Sequence, residues 1–240
     1  MLVMTKRKNS PGFKGHRFPP AIIEYAVWLY FRFSLSLRDV EDLLSERGVI
    51  VSHETIRFWV GKFGRQYAKS IRRDRPKVGD KWHLDEVVIS IRGKKHWLWR
   101  AVDQHGNSLE ILVQSRRNTK AAMRFMRKLM KQYGVPRVMI TDKLRSYGAA
   151  KRDLSPGLEQ TSHKGLNNAA EVSHKPTRRR ERVMERFKSA RHAQQFLSSH
   201  DQINVLFRPR HHKISAISYR RARSDAFAIW HDITQEIAAG

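Results

Sequence analysis

The sequence predicts a mixed α/β protein in which an all-α N-terminal domain precedes a β-rich domain and a helical C-terminal region. Two observations carry the prediction. Apolar residues recur at three-to-four spacing as far as Phe63, switch to two-residue alternation at Lys81, and return to a helical pattern from about Asn168. The alternating stretch is punctuated by Arg92-Gly93-Lys94-Lys95 and Asp103-Gln104-His105-Gly106-Asn107, which are turn compositions between strands.

Residues 1–19 read as a basic arm with interspersed Gly and Pro. Helical spacing begins at Pro20, with Ile22, Ala26, Leu29, Tyr30 and Phe33 on one face. A second short helix carries Leu37, Val40, Leu43 and Leu44 and stops at Gly48. Ser52 is placed to cap a third, with Ile56, Trp59, Val60 and Phe63 as its apolar face. Residues 64–79 read as a basic linker, and the N-terminal domain is assigned to 20–76. Residues 82–91, 96–102 and 109–114 read as three antiparallel strands joined by hairpins. An amphipathic helix follows, capped by Asn118 or Thr119 and showing Ala122, Phe125, Met126 and Leu129. Then come a short strand at 137–141 and a looser region to Gly165. Strand–strand–strand–helix–strand–helix is the order of a ribonuclease-H-like fold, here placed at 77–200, with 201–240 as a C-terminal helical region.

The chain carries 48 Lys+Arg against 22 Asp+Glu, a net charge of +26, which points to a polyanionic partner. Segments 1–79, 80–170 and 171–240 hold +9, +10 and +7, so the excess belongs to the whole chain and suits a long DNA path. Six Trp and eleven Phe supply cores that small ribosomal or chromatin proteins lack. The longest apolar stretch, Ala21 to Phe31, is interrupted by Glu24 and falls short of the roughly 20 residues a membrane span requires. No signal-peptide pattern follows Lys6-Arg7-Lys8, and there is no cysteine, which fits a cytoplasmic, nucleoid-associated protein without membrane contact. Twelve histidines, including His211-His212, show no zinc-ligand spacing.

The second and third helices have helix-turn-helix proportions. Opposite the apolar face of the third lie His53, Glu54, Arg57, Phe58 and Gly61, with Lys62 and Arg65 nearer its end. Arg57 could reach a guanine edge, while Lys62 and Arg65 suit phosphates. The plain alternative is a small bundle that packs on its neighbour.

Three carboxylates stand out in order. Alternation puts Asp85 on a strand face with Val87, Ile89 and Ile91, where a charge needs a cation or hydrogen bonds. Asp142 follows Val138-Met139-Ile140-Thr141 at a strand's carboxyl end, where ligand-binding groups concentrate. Glu171 is three residues past Asn168, a capping-box spacing, and His174, Lys175 and Arg178 continue its helical face, with Pro176 as a kink or restart. Each also has a structural reading: a strand-end Asp reaching solvent or an arginine, a turn Asp, a capping Glu.

With these motifs in place the sequence resembles the bacterial DDE-class insertion-sequence transposases, specifically the insertion sequence six family. The likeness runs through the helix-turn-helix, Trp82-His83-Leu84-Asp85-Glu86, Arg100-Ala101-Val102-Asp103 and Ser115-Arg116-Arg117-Asn118-Thr119-Lys120-Ala121-Ala122. It continues in Thr141-Asp142-Lys143, Asn167-Asn168 before Glu171, and Phe187-Lys188-Ser189. The resemblance implies a retroviral-integrase-like catalytic domain with Asp85, Asp142 and Glu171 as catalytic and metal-ligating triad. Lys143 and Arg178 would join the DNA contacts. The sequence departs from the family at Ala169 and Val172, where relatives carry Arg and Asn, and in a shorter stretch from Asp142 to Glu171.

The implied cofactor is Mg²⁺ or Mn²⁺, two ions per site, because hard oxygen ligands suit such ions in phosphoryl transfer. The implied partners are double-stranded DNA, as terminal inverted repeats and as target, and further copies of the chain in a homo-oligomer. Cleavage would free a 3′-hydroxyl that attacks target DNA, with cointegrates as product. Two rival readings remain from the residues alone: a sequence-specific regulator without catalysis, and a metal-dependent nuclease on the same fold.

Overall fold

The computed structural model describes residues 12–141, 145–162, 173–184, 187–209 and 214–238. They fall into two compact units, one formed by the N-terminal residues to Asp74 together with Gln202 onward, the other by Arg75–Asp201. No helix among the described residues is long and apolar enough to cross a membrane.

In the first unit, α1 (Pro20–Arg32), α2 (Leu37–Ser45) and α3 (His53–Asp74) follow one another. The start of α2 is fixed by a capping box in which the Ser36 hydroxyl accepts from Asp39 N–H and the Asp39 carboxylate accepts from Ser36 N–H. Gly48, at φ 74°, turns the chain away from α2 as expected. Ser52 Oγ accepts from Thr55 N–H at 3.4 Å at the head of α3. Helix α3 is longer than expected, taking in most of the segment read as a linker. The reason is an apolar stripe that continues through Tyr67, Ala68 and Ile71 among arginines that are themselves good helix formers. Gly64 lies where α3 meets α1: a Cβ there would stand 2.5 Å from the Phe31 ring.

Residues 12–19 do not form a free arm. Phe13 stacks on Phe63 at 4.5 Å, and Phe18 meets Trp59 edge-on at 5.3 Å. The C-terminal residues read as a region of their own join this unit. Their long helix, Ala216–Ala238, sets Trp230 against Tyr67 at 4.7 Å, and Phe207 lies 6.0 Å from Trp28.

The second unit is built on five strands: β1 (Lys81–Ile91), β2 (Lys94–Asp103), β3 (Ser108–Gln114), β4 (Val138–Thr141) and β5 (Glu159–Ser162), in the order β3-β2-β1-β4-β5. The first three are antiparallel and β4 and β5 run parallel to β1, which is the ribonuclease-H-like arrangement. One face packs on α4 (Thr119–Tyr133), capped by Asn118 Oδ1, and on α5 (Arg145–Leu154), through Trp82, Leu84, Trp99, Phe125, Met126 and Tyr147. Both α5 and β5 lie in the stretch read as loose. Glu-Gln-Thr-Ser of β5 offers no apolar alternation, so its pairing with β4 is visible only in the fold.

Beyond β5 are α6 (Lys175–Val183), with Pro176 in its first turn, α7 (Ala190–Leu206) and α8, the C-terminal helix already described. Proline there starts a helix cleanly, since its missing N–H is one of the unpaired ones. Gln194 of α7 accepts from Val113 N–H at 2.8 Å and donates to Ile111 C=O at 3.1 Å, covering the otherwise open edge of β3.

Candidate active site

Strand β1 lies inside the sheet between β2 and β4, and Asp85 is its first residue beyond the pairing with β4, which ends at Leu84 and Thr141. Its side chain is 13% exposed. The main core lies on the opposite face of the strand, so Asp85 sits among the groups that α6 and α7 bring to the sheet. Asp85 Oδ2 is 3.2 Å from Nε2 of His174. Burial pushes the pKa of this imidazole down, and the Arg100 charge adds to that, while the contact with Asp85 opposes it. The sequence placed His174 in a cationic stripe with Lys175 and Arg178; the structure buries it, 4% exposed, against the candidate carboxylate.

Arg100 is the residue that sequence reasoning missed. It pairs directly with Asp85 across β1 and β2 and is fully buried. Its Nη1 donates to the Ser173 carbonyl, and its Nη2 donates to Thr177 Oγ1 at 2.8 Å and stands 3.0 Å from Asp201 Oδ1. Asp201 in turn accepts from the Ser108 hydroxyl. Removing one member would strand a buried charge, at a cost of about 3–5 kcal/mol. The fork ties β2 to the head of α6, through residues that no local pattern connects.

Asp142, Lys143 and Glu171 lie outside the described residues. Their neighbours are placed. Thr141, one residue before Asp142, pairs with Leu84, one residue before Asp85. Ser173, two residues after Glu171, is held by Arg100 opposite Asp85.

Glu86 points the other way and its side chain is wholly buried. Arg117 Nε donates to its Oε1 at 2.7 Å and the Tyr147 hydroxyl to its Oε2 at 2.9 Å. Among the described residues no three His, Asp or Glu side chains are grouped to hold a metal ion.

The candidate DNA contacts of the first unit are exposed (Arg57, Arg65) or half-buried (His53, Lys62), and each is partnered. His53 lies 3.3 Å from Glu41 and 3.4 Å from Glu54, and Arg57 Nη1 bonds Glu54 at 2.6 Å. Lys62 Nζ is 2.8 Å from His16 Nε2, an imidazole held below its usual pKa by burial and by this ammonium. Arg65 Nε donates to the Gly61 carbonyl. A shallow cavity of about 510 Å³ on this side of α3 is lined by Phe58, Gly61, Lys62, Arg65, Gln66 and Lys69. In the second unit, Arg178 Nη1 bonds Glu181 at 3.1 Å and is largely exposed.

The sheet has the ribonuclease-H-like topology, with Asp85 just past the β1–β4 pairing. Comparison carries the assignment further. The family model described as a DDE domain, of IS240-type transposases, matches residues 79–210. The transposase for the insertion sequence-like element IS431mec of Staphylococcus aureus is 36% identical over 169 residues, covering 68% of this chain and 75% of the relative. The transposase for insertion sequence element IS257 in transposon Tn4003, also of S. aureus, is 35% identical over the same coverage. The chain belongs to the bacterial DDE-class insertion-sequence transposases and is a DNA transposase. A solved HTLV-2 integrase catalytic core domain in complex with magnesium superposes at a TM-score of 0.39 and 10% identity, over 55% of this chain and 88% of that one.

Proposed function

We propose that this transposase binds the terminal repeats of its own insertion sequence and carries out metal-dependent strand cleavage and transfer at Asp85, Asp142 and Glu171. The observation that carries the reading is Asp85 itself: a strand-fixed carboxylate whose one contact among the described residues is the imidazole of His174, which leaves room for a cation there. Hard carboxylate oxygens fit Mg²⁺ or Mn²⁺, and two such ions would activate the attacking oxygen and stabilise the leaving one. The chain's residues supply the frame. Asp85 is immobilised by strand pairing on one side and by His174 on the other. Arg100 anchors the main chain near Glu171 by its grip on Ser173. Arg178 would bind phosphate beside the scissile bond, where its planar fork can engage two oxygens.

Recognition of the ends would fall to α2 and α3. Arg57 and His53 would read base edges once DNA competes with Glu54 and Glu41, while Lys62, Arg65 and, in the second unit, Lys143 would meet phosphates. A homo-oligomer at the nucleoid, joining two ends and forming cointegrates, completes the reading. The test is cleavage and strand transfer by purified protein on pre-cut end DNA, with and without chelator. Asp85→Asn, Asp142→Asn and Glu171→Gln should each lose both reactions and keep end binding. Near-normal cleavage by any one of them would remove that residue from the triad.

A further inference from the structure

We propose that the tip of the β1–β2 hairpin, Arg92-Gly93-Lys94-Lys95, is a second DNA contact that grips duplex phosphates at a set distance from the reacting carboxylates. The assignment rests on the transposase acting at Asp85.

The first support is geometric. Strand β1 pairs with β4 only from Lys81 to Leu84, but with β2 as far as Ile91. From Asp85 onward the hairpin therefore overhangs the end of β4, on the side where the chain continues to Asp142. At roughly 3.3 Å per residue the tip stands about 20–23 Å from Asp85 along the strand. With about 3.4 Å of duplex axis per base pair, that is about six or seven base pairs.

The second support is chemical. All four tip residues are exposed, and among the described residues no acid or hydrogen-bond acceptor takes up the side chains of Arg92, Lys94 or Lys95. The cations on α3, by contrast, hold Glu54 and His16. Backbone conformation adds an independent sign. Arg92 has φ 50° and Gly93 φ 77°, the two positive values of a hairpin turn that Asn-Gly fills with least strain. A β-carbon-bearing cation at the first position is the less relaxed choice, and strain of this kind gathers at functional positions.

The third support is rigidity. Ser90 N–H donates to Glu181 Oε1 at 2.9 Å, and Ile91 bridges to Phe187 beside it. Glu181 Oε2 accepts from Arg178, so both of its oxygens are engaged. The tip is thereby held on the same helix that carries Arg178. Lysine and arginine ends on an exposed turn suit phosphates, which carry no sequence information, so the partner is duplex DNA of any sequence: target DNA, or flank beyond the recognised repeat.

The experiment uses the full chain and its affinity for a random-sequence duplex across a salt series. Combining Arg92→Asn, Lys94→Gln and Lys95→Gln should lower the slope of log affinity against log salt by about 2–3, since each phosphate neutralised contributes about 0.9. Arg92→Asn alone should lower it by about 0.9 and melt no earlier than wild type, which keeps the test open should the triple variant fold poorly. An end duplex as second arm should show the same loss in slope with its preference over random DNA retained. Unchanged slopes in folded variants would overturn the assignment, as would lost self-association in their place. Absence of salt-sensitive binding by the wild type would sink the parent reading instead. The chain has no cysteine, so Lys94→Cys gives one attachment point for a DNA-cutting iron chelate. Cuts should fall about six or seven base pairs from the strand-cleavage position; an unbroken duplex there would also overturn the assignment.

Discussion

Glu86 is enclosed by Arg117 and Tyr147 with its side chain at 0% exposure, whereas Asp85, the residue before it on the same strand, is 13% exposed and among the described residues is bonded by one imidazole, that of His174. Alternation alone puts them on opposite faces. The core face demanded that its acid be fully bonded, because an unmatched buried charge costs several kcal/mol. On the other face the described residues offer Asp85 only the His174 imidazole. Two adjacent carboxylates of equal charge thus separate into a structural one and one available for chemistry, and the difference is the number of lone pairs already in use.

The largest effect that would test this contrast is at Asp85. Asp85→Asn should reduce cleavage of end DNA on the order of a thousandfold, as expected when several kcal/mol of metal-derived stabilisation is lost, while its melting temperature stays close to wild type. A folded variant with normal cleavage would erase the distinction. Glu86→Gln should do the reverse. Losing charged hydrogen bonds to Arg117 and Tyr147 should cost about 1.5–3 kcal/mol in denaturant unfolding, with cleavage per folded molecule largely kept. If cleavage collapses without a loss of stability, Glu86 belongs to the chemistry and the contrast fails.

Arg178→Ala comes next. Its side chain is 44% exposed and bonded to Glu181, so heat stability should barely move while strand transfer falls about tenfold, and Arg178→Lys should recover part of it. A melting point many degrees lower with transfer intact would assign Arg178 to the fold. The smallest effect is expected at Asp80, whose exposed carboxylate meets Arg137 at 2.8 Å and is held below the usual range by that bond. Asp80→Asn should change neither unfolding nor cleavage measurably, since water and salt screen such pairs.

The residues made some of this legible and concealed the rest. Period-two alternation and the Arg92–Lys95 and Asp103–Asn107 turns revealed β1, β2 and β3, Gly48 marked the end of α2 and Ser52 the start of α3. Asp85 could be singled out because a charge on an apolar strand is conspicuous. Basic composition misled at 64–74, where Tyr67 and Ile71 keep the helical stripe running between arginines. Strand β5 was hidden because an edge strand with little apolar side chain carries no periodic signal. His174 and Arg100 were invisible as partners of the site for another reason. Their roles depend on contacts such as Arg100 to Ser173 and Thr177, 73 and 77 residues apart, and burial brought about by distant segments leaves no local mark.

Those separations also set an order of assembly. The hairpins of β1, β2 and β3 close short loops and can form early, but Asp201, the acid paired with Arg100 among the described residues, comes much later in the chain. The Ser173 and Thr177 acceptors of the same guanidinium also follow β2 by more than seventy residues. A chain that stops short of Asp201 therefore keeps most of its basic charge but lacks the acid that the Arg100 fork engages in the folded protein.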